Sequence, residues 1–542
     1  MNAAQPTYEW NAIPWRKLER NVFKLQKRIY QASRRGDSRQ VRRLQRLLIK
    51  SWSAKTLAVR RVTQENTGKK TAGIDGVKSL TPKQRLELIR NLDLKEKAKP
   101  IRRVWIPKPG KTEKRPLGIP VMRDRATQAL LKMAIEPQWE AKFEPNSYGF
   151  RPGRSCHDAI QALHDMLRHH DKYVLDADIA GCFDNINHEI LIEKMEVSPH
   201  IKKIIRQWLK AGILDQGAFH RNEKGTPQGG VISPLLANIA LHGLENLVKS
   251  INKNAYMVRY ADDFVILHNE LKIIEKCKQA IEEWLKEIGL ELKLSKTRVA
   301  NTLEVWNGQQ PGFDFLGFNV RQYKVSKNNS GKRKKGFKTL IKPSKDGIQR
   351  HKDRIKEVVN GGKAKPQLAI IKELNPIIKG WCNYYSTEVS SKAFNYLTHF
   401  TVQTLMKWAR RRHPKKSLHW IYRKYFGTQD GYQWIFMKEQ SKVIRHSETK
   451  INRWVKVTQD RSPYDGDWVY WSTRMGRHPE INKKTAYLLN QQKGKCSHCG
   501  LRFNMEDLME IHHIDWNHRH NKWENLTLIH RHCHDEVHKT SA

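Results

Sequence analysis

No stretch of this chain stays apolar for the ~18 residues that a membrane-spanning helix needs, and no amphipathic basic helix stands alone as a surface anchor. The opening residues, MNAAQPTYEWNAIPW, lack an apolar signal core and an Arg/Ser-rich import texture, so neither export nor a membrane partner is expected. Acidic side chains are scarce: 54 Asp plus Glu stand against 101 Lys plus Arg, a formal charge of +47. That excess goes far beyond what solubility requires and points to a polyanionic partner. Cysteine is scarce too, with seven in the chain. Cys156, Cys182, Cys277 and Cys382 are far apart, which excludes a disulfide framework and suits free thiols in a reducing compartment. The exceptions are Cys496, Cys499 and Cys533, crowded near the C-terminus.

At roughly 100–200 residues per domain, the 542 residues suggest three to five domains. From Trp15 to Val62, apolar and basic residues alternate at helical spacing with a break at Gly36-Asp37, which reads as a basic helical hairpin. From Val104 to about Val320, short β-rich runs mix with helical stretches. The Gly-punctuated basic run from Asn328 to Lys338 reads as a connector, and helical patterns dominate after it. The expected division is 1–85, a basic helical RNA-binding extension; 86–325, mixed α/β; 326–415, helical; 416–477, aromatic and basic; 478–542, a small module. A module of that size rarely holds a core without a metal or disulfide.

The segment AYMVRYADDFVILH holds two strand-like runs, YMVRY and FVILH, joined by a short link that places Asp262 and Asp263 near a hairpin tip. Upstream, YVLDADIAGCFDNINH brings Asp178 to the end of another short apolar run. Three carboxylates on strand ends suit two divalent cations that clamp the attacking and leaving oxygens of phosphoryl transfer. Around them lie further blocks in order: IPKPGKTEKRPLGIP at Ile106, SYGFRPGRSCHDAI at Ser147, GTPQGGVISPLLANI at Gly225, LSKT at Leu294, FLGF at Phe315 and GWCNYY at Gly380.

With these blocks the chain resembles the reverse transcriptase/maturase proteins encoded by group II introns, along essentially its whole length. The resemblance implies a multidomain α+β fold: a right-hand polymerase whose fingers and palm combine antiparallel sheet with helices, a helical thumb, and a small ββα-metal domain. It implies that Asp178, Asp262 and Asp263 bind two Mg2+ ions, with Asp263 the weaker ligand. Lys108, Arg115 and Lys296 would grip the triphosphate, Gln228 would contact nucleotide or template, and Phe183 would pack under the sugar and exclude a 2′-hydroxyl. The implied partners are the host intron RNA, target DNA and dNTPs, in the cytoplasm or nucleoid of a bacterial cell. A splicing maturase or homing nuclease without polymerase activity, and an RNA-dependent RNA polymerase, are the alternatives.

In the tail, CSHCG at Cys496 and the equally spaced pair His530 and Cys533 supply four ligands for a tetrahedral Zn2+. His498 or His532 could replace His530, where relatives usually carry Cys. The tail resembles an HNH endonuclease through IHHID at Ile511, Asn525 in WENLTLIH and HCHDEVH at His532. His534 and His538, four residues apart, share a helix face. The resemblance implies that they hold one Mg2+ with His512, that His513 is the general base, and that Asn525 orients its loop. A structural zinc finger that binds DNA is the rival reading.

Overall fold

The computed structural model describes residues 9–107, 113–326, 336–429, 431–458, 461–479, 481–504 and 507–539. At its centre is an antiparallel four-stranded sheet in the order Tyr256–Tyr260, Asp263–His268, Tyr173–Asp178, Arg298–Asn301. The central strands are apolar on both faces because both faces are covered. Leu175, Ala177, Phe264 and Ile266 join a core shared with the N-terminal helices. Val174, Val265 and Leu267 point the other way, into a core shared with the C-terminal helices. This is the period-2 alternation of a strand with both registers buried.

The N-terminal helices Trp15–Arg34 and Ser38–Lys50 turn at Gly36, whose φ of 75° is open to glycine at little cost. A third helix, Trp52–Arg60, follows an extended Ser51, so the expected hairpin is a three-helix unit. These helices pack on Met122–Glu140, which is buried along almost its entire surface and therefore shows no amphipathic stripe. Its buried charged residues find partners: Arg125 donates to the carbonyls of Gly68, Thr71 and Pro120, and Glu140 pairs with Arg151 at 2.9 Å. A second four-stranded sheet runs Lys114–Ile119, Ile101–Pro107, Ile213–Asp215, Ala218–His220.

Two expected domain boundaries are displaced. The one at 85/86 falls inside helix Pro82–Arg90, which starts at a Thr81–Gln84 capping box. The one at 325/326 falls inside a hairpin, because Phe318–Lys324 pairs with Phe337–Pro343 in a continuous antiparallel register. The connector expected over Asn328–Lys338 therefore ends within a strand at Phe337 and Lys338; residues 327–335 themselves lie outside the described residues. The helices Lys345–Gly361, Gln367–Tyr385 and Ser391–Arg412 follow.

Residues 416–477 form two parts. Helix Leu418–Tyr425 and the small sheet Phe426–Gln429, Tyr432–Lys438, Ser441–Lys442 pack on the thumb helices. The segment after His446 then returns to the palm, where the Asp158 carboxylate accepts from Trp454 Nε1 (3.0 Å), Val457 N (2.8 Å) and Arg474. The last part, with its own small core of Leu488, Leu489, Phe503, Leu526, Leu528 and Ile529, is the antiparallel pair Met509–His513 and Leu526–His530 followed by helix Arg531–Lys539.

Candidate active sites

The Tyr256–Tyr260 and Asp263–His268 hairpin turns through Ala261 and Asp262, with Ala261 held at φ 59°. A left-handed alanine costs about 1 kcal/mol or more, and three of the quoted blocks hold it there. Arg259, buried, donates from Nη1 to the Ala261 carbonyl and to Asn238 Oδ1, both at 3.0 Å. Asn238 in turn donates to the Gly149 carbonyl at 2.8 Å. Gly149 lies so close beneath the turn that a Cβ there would stand 2.3 Å from Ala261 N. The SYGF, SPLLAN and YADD stretches are thus one support for Asp262. Arg259, Asn238 and Gly149 were not singled out from the sequence: Arg259 holds the carbonyl two residues on, and only the fold brings Asn238 and Gly149 to that turn.

Asp178 and Asp263 face each other across the central ladder. Burial, followed by the charges of Asp178 and Asp262, pushes the Asp263 carboxyl up to about 7. Asp262 is raised by burial and by Asp178, and is lowered by Lys296 and Arg115. Lys296 forms an ion pair with Asp178 from the 3-10 turn Leu294–Lys296, which is tied to the palm by Lys293 N donating to the Asp178 carbonyl at 2.8 Å. Repulsion among three gathered carboxylates, eased by a lysine, is the donor set that divalent cations fit.

Arg115 is exposed on Lys114–Ile119 opposite Ile106. Lys108 lies outside the described residues. Phe183 is half-buried, in edge contact with the exposed ring of Phe150 at 6.0 Å. Gln228 donates its side-chain amide to the Asp184 carboxylate at 3.1 Å, and Gly225, at φ 83°, packs against the Asp184 backbone where a Cβ would lie at 2.5 Å. The PQGG loop and Phe183 therefore form one wall, facing the second sheet across a small cleft lined by Arg103, Pro116 and Gly118.

In the tail, the ligand atoms of Cys496, Cys499, His530 and Cys533 all lie within 4.8 Å of one another. His532 lies beside this set, its Nε2 2.9 Å from Arg60 Nη2 and its ring also reaching Cys499, and His498 is exposed, grouped with Cys533 and Glu536. His530 turns Nδ1 to Cys499 Sγ at 3.4 Å and Nε2 to Asp507 at 3.5 Å. Asp507 has no motif signal and was missed. Burial raises its carboxyl, but the His530 hydrogen bond and the Arg61 charge hold it down at about 2.

His512, His534 and His538 form a second cluster, also within 4.8 Å, built by one strand and one helix face. Both ring nitrogens of His513 are buried without a hydrogen-bond partner among the described residues. The loop beyond it is held by Asn525, whose side chain accepts from Asp515 N (2.9 Å) and donates to Asp515 Oδ1 (2.7 Å) and the His520 carbonyl (2.8 Å).

A palm carrying three carboxylates on strand ends, joined to a ββα module with two His/Cys clusters, defines a nucleic-acid polymerase with an attached nuclease domain. Residues 106–320 match the reverse transcriptase (RNA-dependent DNA polymerase) family and 10–92 the N-terminal domain of reverse transcriptase. Residues 348–426 match the group II intron maturase-specific domain and 496–540 the HNH endonuclease family. The chain is 31% identical over 347 residues to Protein YkfC of Escherichia coli, covering 55% of this chain and 87% of that one. It is 28% identical to Group II intron-encoded protein LtrA of Lactococcus lactis over 437 residues, 64% of this chain and 71% of the other. Maturase-like protein 1 of Euglena gracilis is 30% identical over 390 residues, 68% and 76% of the two chains. The chain belongs to the group II intron-encoded reverse transcriptase/maturase family, with a C-terminal HNH endonuclease domain. It is an RNA-directed DNA polymerase and a DNA endonuclease, it binds nucleic acid including intron RNA, and no helix among the described residues is long and apolar enough to cross a membrane.

Proposed function

We propose that the chain copies its host intron RNA into DNA from a 3′ end that its own HNH domain produces by nicking target DNA. The observation that carries this reading is the meeting of Asp262 and Asp263 at a hairpin tip with Asp178 at the end of the adjoining strand, in a chain that also bears the His512–His513 site.

In the palm, Asp178 and Asp262 are the principal Mg2+ ligands and Asp263 the weaker one. When bound, two Mg2+ ions would stabilise charge on the attacking and leaving oxygens of nucleotidyl transfer. Lys296 exchanges its Asp178 partner for triphosphate oxygens, alongside Arg115 and Lys108. Gln228 leaves Asp184 to meet nucleotide or template. Phe183, braced by Phe150, closes the space beside the sugar C2′ and so selects dNTPs.

In the tail, His512, His534 and His538 suit one Mg2+, and His513 takes the proton of the attacking water at a ring nitrogen that has no hydrogen-bond partner among the described residues. Asn525 keeps that loop in place. Cys496, Cys499, His530 and Cys533 suit a structural Zn2+. The N-terminal unit, through helix Pro82–Arg90, and the helices Lys345–Gly361, Gln367–Tyr385 and Ser391–Arg412 grip the intron RNA, and residues 416–477 contact the DNA, in the cytoplasm or nucleoid of a bacterial host.

Primer extension on an RNA template is expected to vanish in Asp262→Ala protein while nicking of target DNA persists; His513→Ala should give the reverse pattern. Full extension by Asp262→Ala would refute the palm assignment, and undiminished nicking by His513→Ala would favour a structural finger.

A further inference from the structure

The four-residue Cys/His centre does not stand free in the nuclease module. It abuts the end of helix Trp52–Arg60 and the turn Arg61–Glu65 of the N-terminal unit. Arg60, 1% exposed, reaches His532 Nε2 at 2.9 Å and Cys533 Sγ at 4.0 Å, stacks over Trp15 and pairs with Glu65 at 2.9 Å. Arg61 pairs with Asp507 at 2.9 Å, and Asp507 contacts His530 Nε2. The same seam carries Gln64 against Glu536, and Glu19 accepting from Arg502 N at 2.9 Å.

From these contacts we propose that Arg60 and Arg61 are positioning residues of the Cys/His metal centre, supplied by the N-terminal unit, so that the metal seats the nuclease module on that unit.

The inference rests on the reading that the centre holds Zn2+. Three thiolates, one neutral histidine and a divalent cation carry a net charge of −1, and Glu65 and Asp507 add two more negative charges to the same buried pocket. The two guanidiniums are the nearest compensation. Burying such charge unpaired is costly, and arginine stays cationic when buried. Arg61 also fixes Asp507, which fixes the ring of His530 with Nδ1 turned toward the thiols. A carboxylate on the far nitrogen of a ligating histidine typically governs metal affinity by roughly 10–100-fold. Metal binding and docking of the N-terminal unit are then linked in both directions: whatever loosens one loosens the other.

The test uses full-length protein. Zinc affinity is measured by competition with a chromogenic chelator for wild type, Arg60→Met, Arg60→Lys, Arg61→Met and Asp507→Asn, with limited proteolysis of each. Weakening by about 10–100-fold in Arg60→Met and Arg61→Met, partial recovery in Arg60→Lys, and new cleavage between residues 478 and 507 is the expected result. Should Arg60→Met fail to fold, the partly exposed Arg61→Met and the isosteric Asp507→Asn carry the measurement. Zinc affinities within twofold of wild type, with stoichiometric zinc in wild type, would overturn this inference alone. Wild-type protein lacking stoichiometric zinc would overturn the zinc assignment and the inference with it.

Discussion

Asp178 and Asp263 occupy directly opposed positions on the two central strands of the palm, one pair from the hairpin tip. Like charges so placed destabilise a sheet. The ladder tolerates them because Lys296 pairs with Asp178 and because Asp263 holds its proton well above the ordinary carboxylate range. The pair stores a demand for positive charge at the place where nucleotidyl transfer needs it.

Gly149→Ala should disable the polymerase through a residue that touches no substrate. Its new Cβ would meet Ala261 N at 2.3 Å and the Tyr260 carbonyl carbon at 2.9 Å, so the turn bearing Asp262 must move. A displacement near 1 Å costs a catalytic group on the order of 100-fold. Steady-state primer extension should fall by about that factor with nicking unchanged; extension at wild-type rate would show that the turn has slack.

Phe183→Ala opens the cleft beside Phe150. Discrimination against ribonucleotides should drop by roughly 10–200-fold, the range available to a steric pocket. Single-nucleotide incorporation with rGTP and dGTP measures it, and an unchanged ratio would make Phe183 an ordinary packing residue.

His351 and His446 form a buried pair, Nε2 to Nε2 at 2.8 Å, with His351 stacked on Trp381. Burial lowers His351 to about 4; burial and the charge of His351 lower His446 to about 3. The unfolded chain, with histidines near 6.5, binds more protons below that pH. The stability is therefore fully present above 6.5 and is lost as pH falls toward 4 and then 3, by up to about 1.4 kcal/mol per pH unit for each histidine. Thermal midpoints at pH 7 and pH 5 should diverge in wild type, and by a smaller margin in His446→Gln. Equal divergence in both proteins would remove this pair from the account.

Asp158→Ala strips the partner from Arg474 and leaves Trp454 Nε1 and Val457 N unpaired in the interior. Removing one member of a buried ion pair costs about 3–5 kcal/mol. The segment after His446 should detach from the palm before the palm itself unfolds, seen as early cleavage between residues 446 and 476 by limited proteolysis. Simultaneous loss of both would mean the segment is integral to the palm's stability.

The sequence by itself determined the elements that rest on local chemistry. Short continuous apolar runs marked Tyr173–Asp178, Tyr256–Tyr260 and Asp263–His268, and ligand spacing marked Cys496, Cys499, His530 and Cys533 as one set, because both signals span only a few residues. Spacing could not choose among His498, His530 and His532; only the fold gathers the His530 ring with the three thiols and sets His532 against Arg60. The pairing of Phe318–Lys324 with Phe337–Pro343 was hidden because a basic, Gly-punctuated run carries no signal for which strands pair across it. The ties of Gly149 to the YADD turn, of Asn238 to Arg259, of Asp158 to Arg474, and of Arg61 to Asp507 were decided only by tertiary structure. Each joins residues remote in the chain through a single hydrogen bond, ion pair or close approach, and such a contact leaves no period or motif along the sequence.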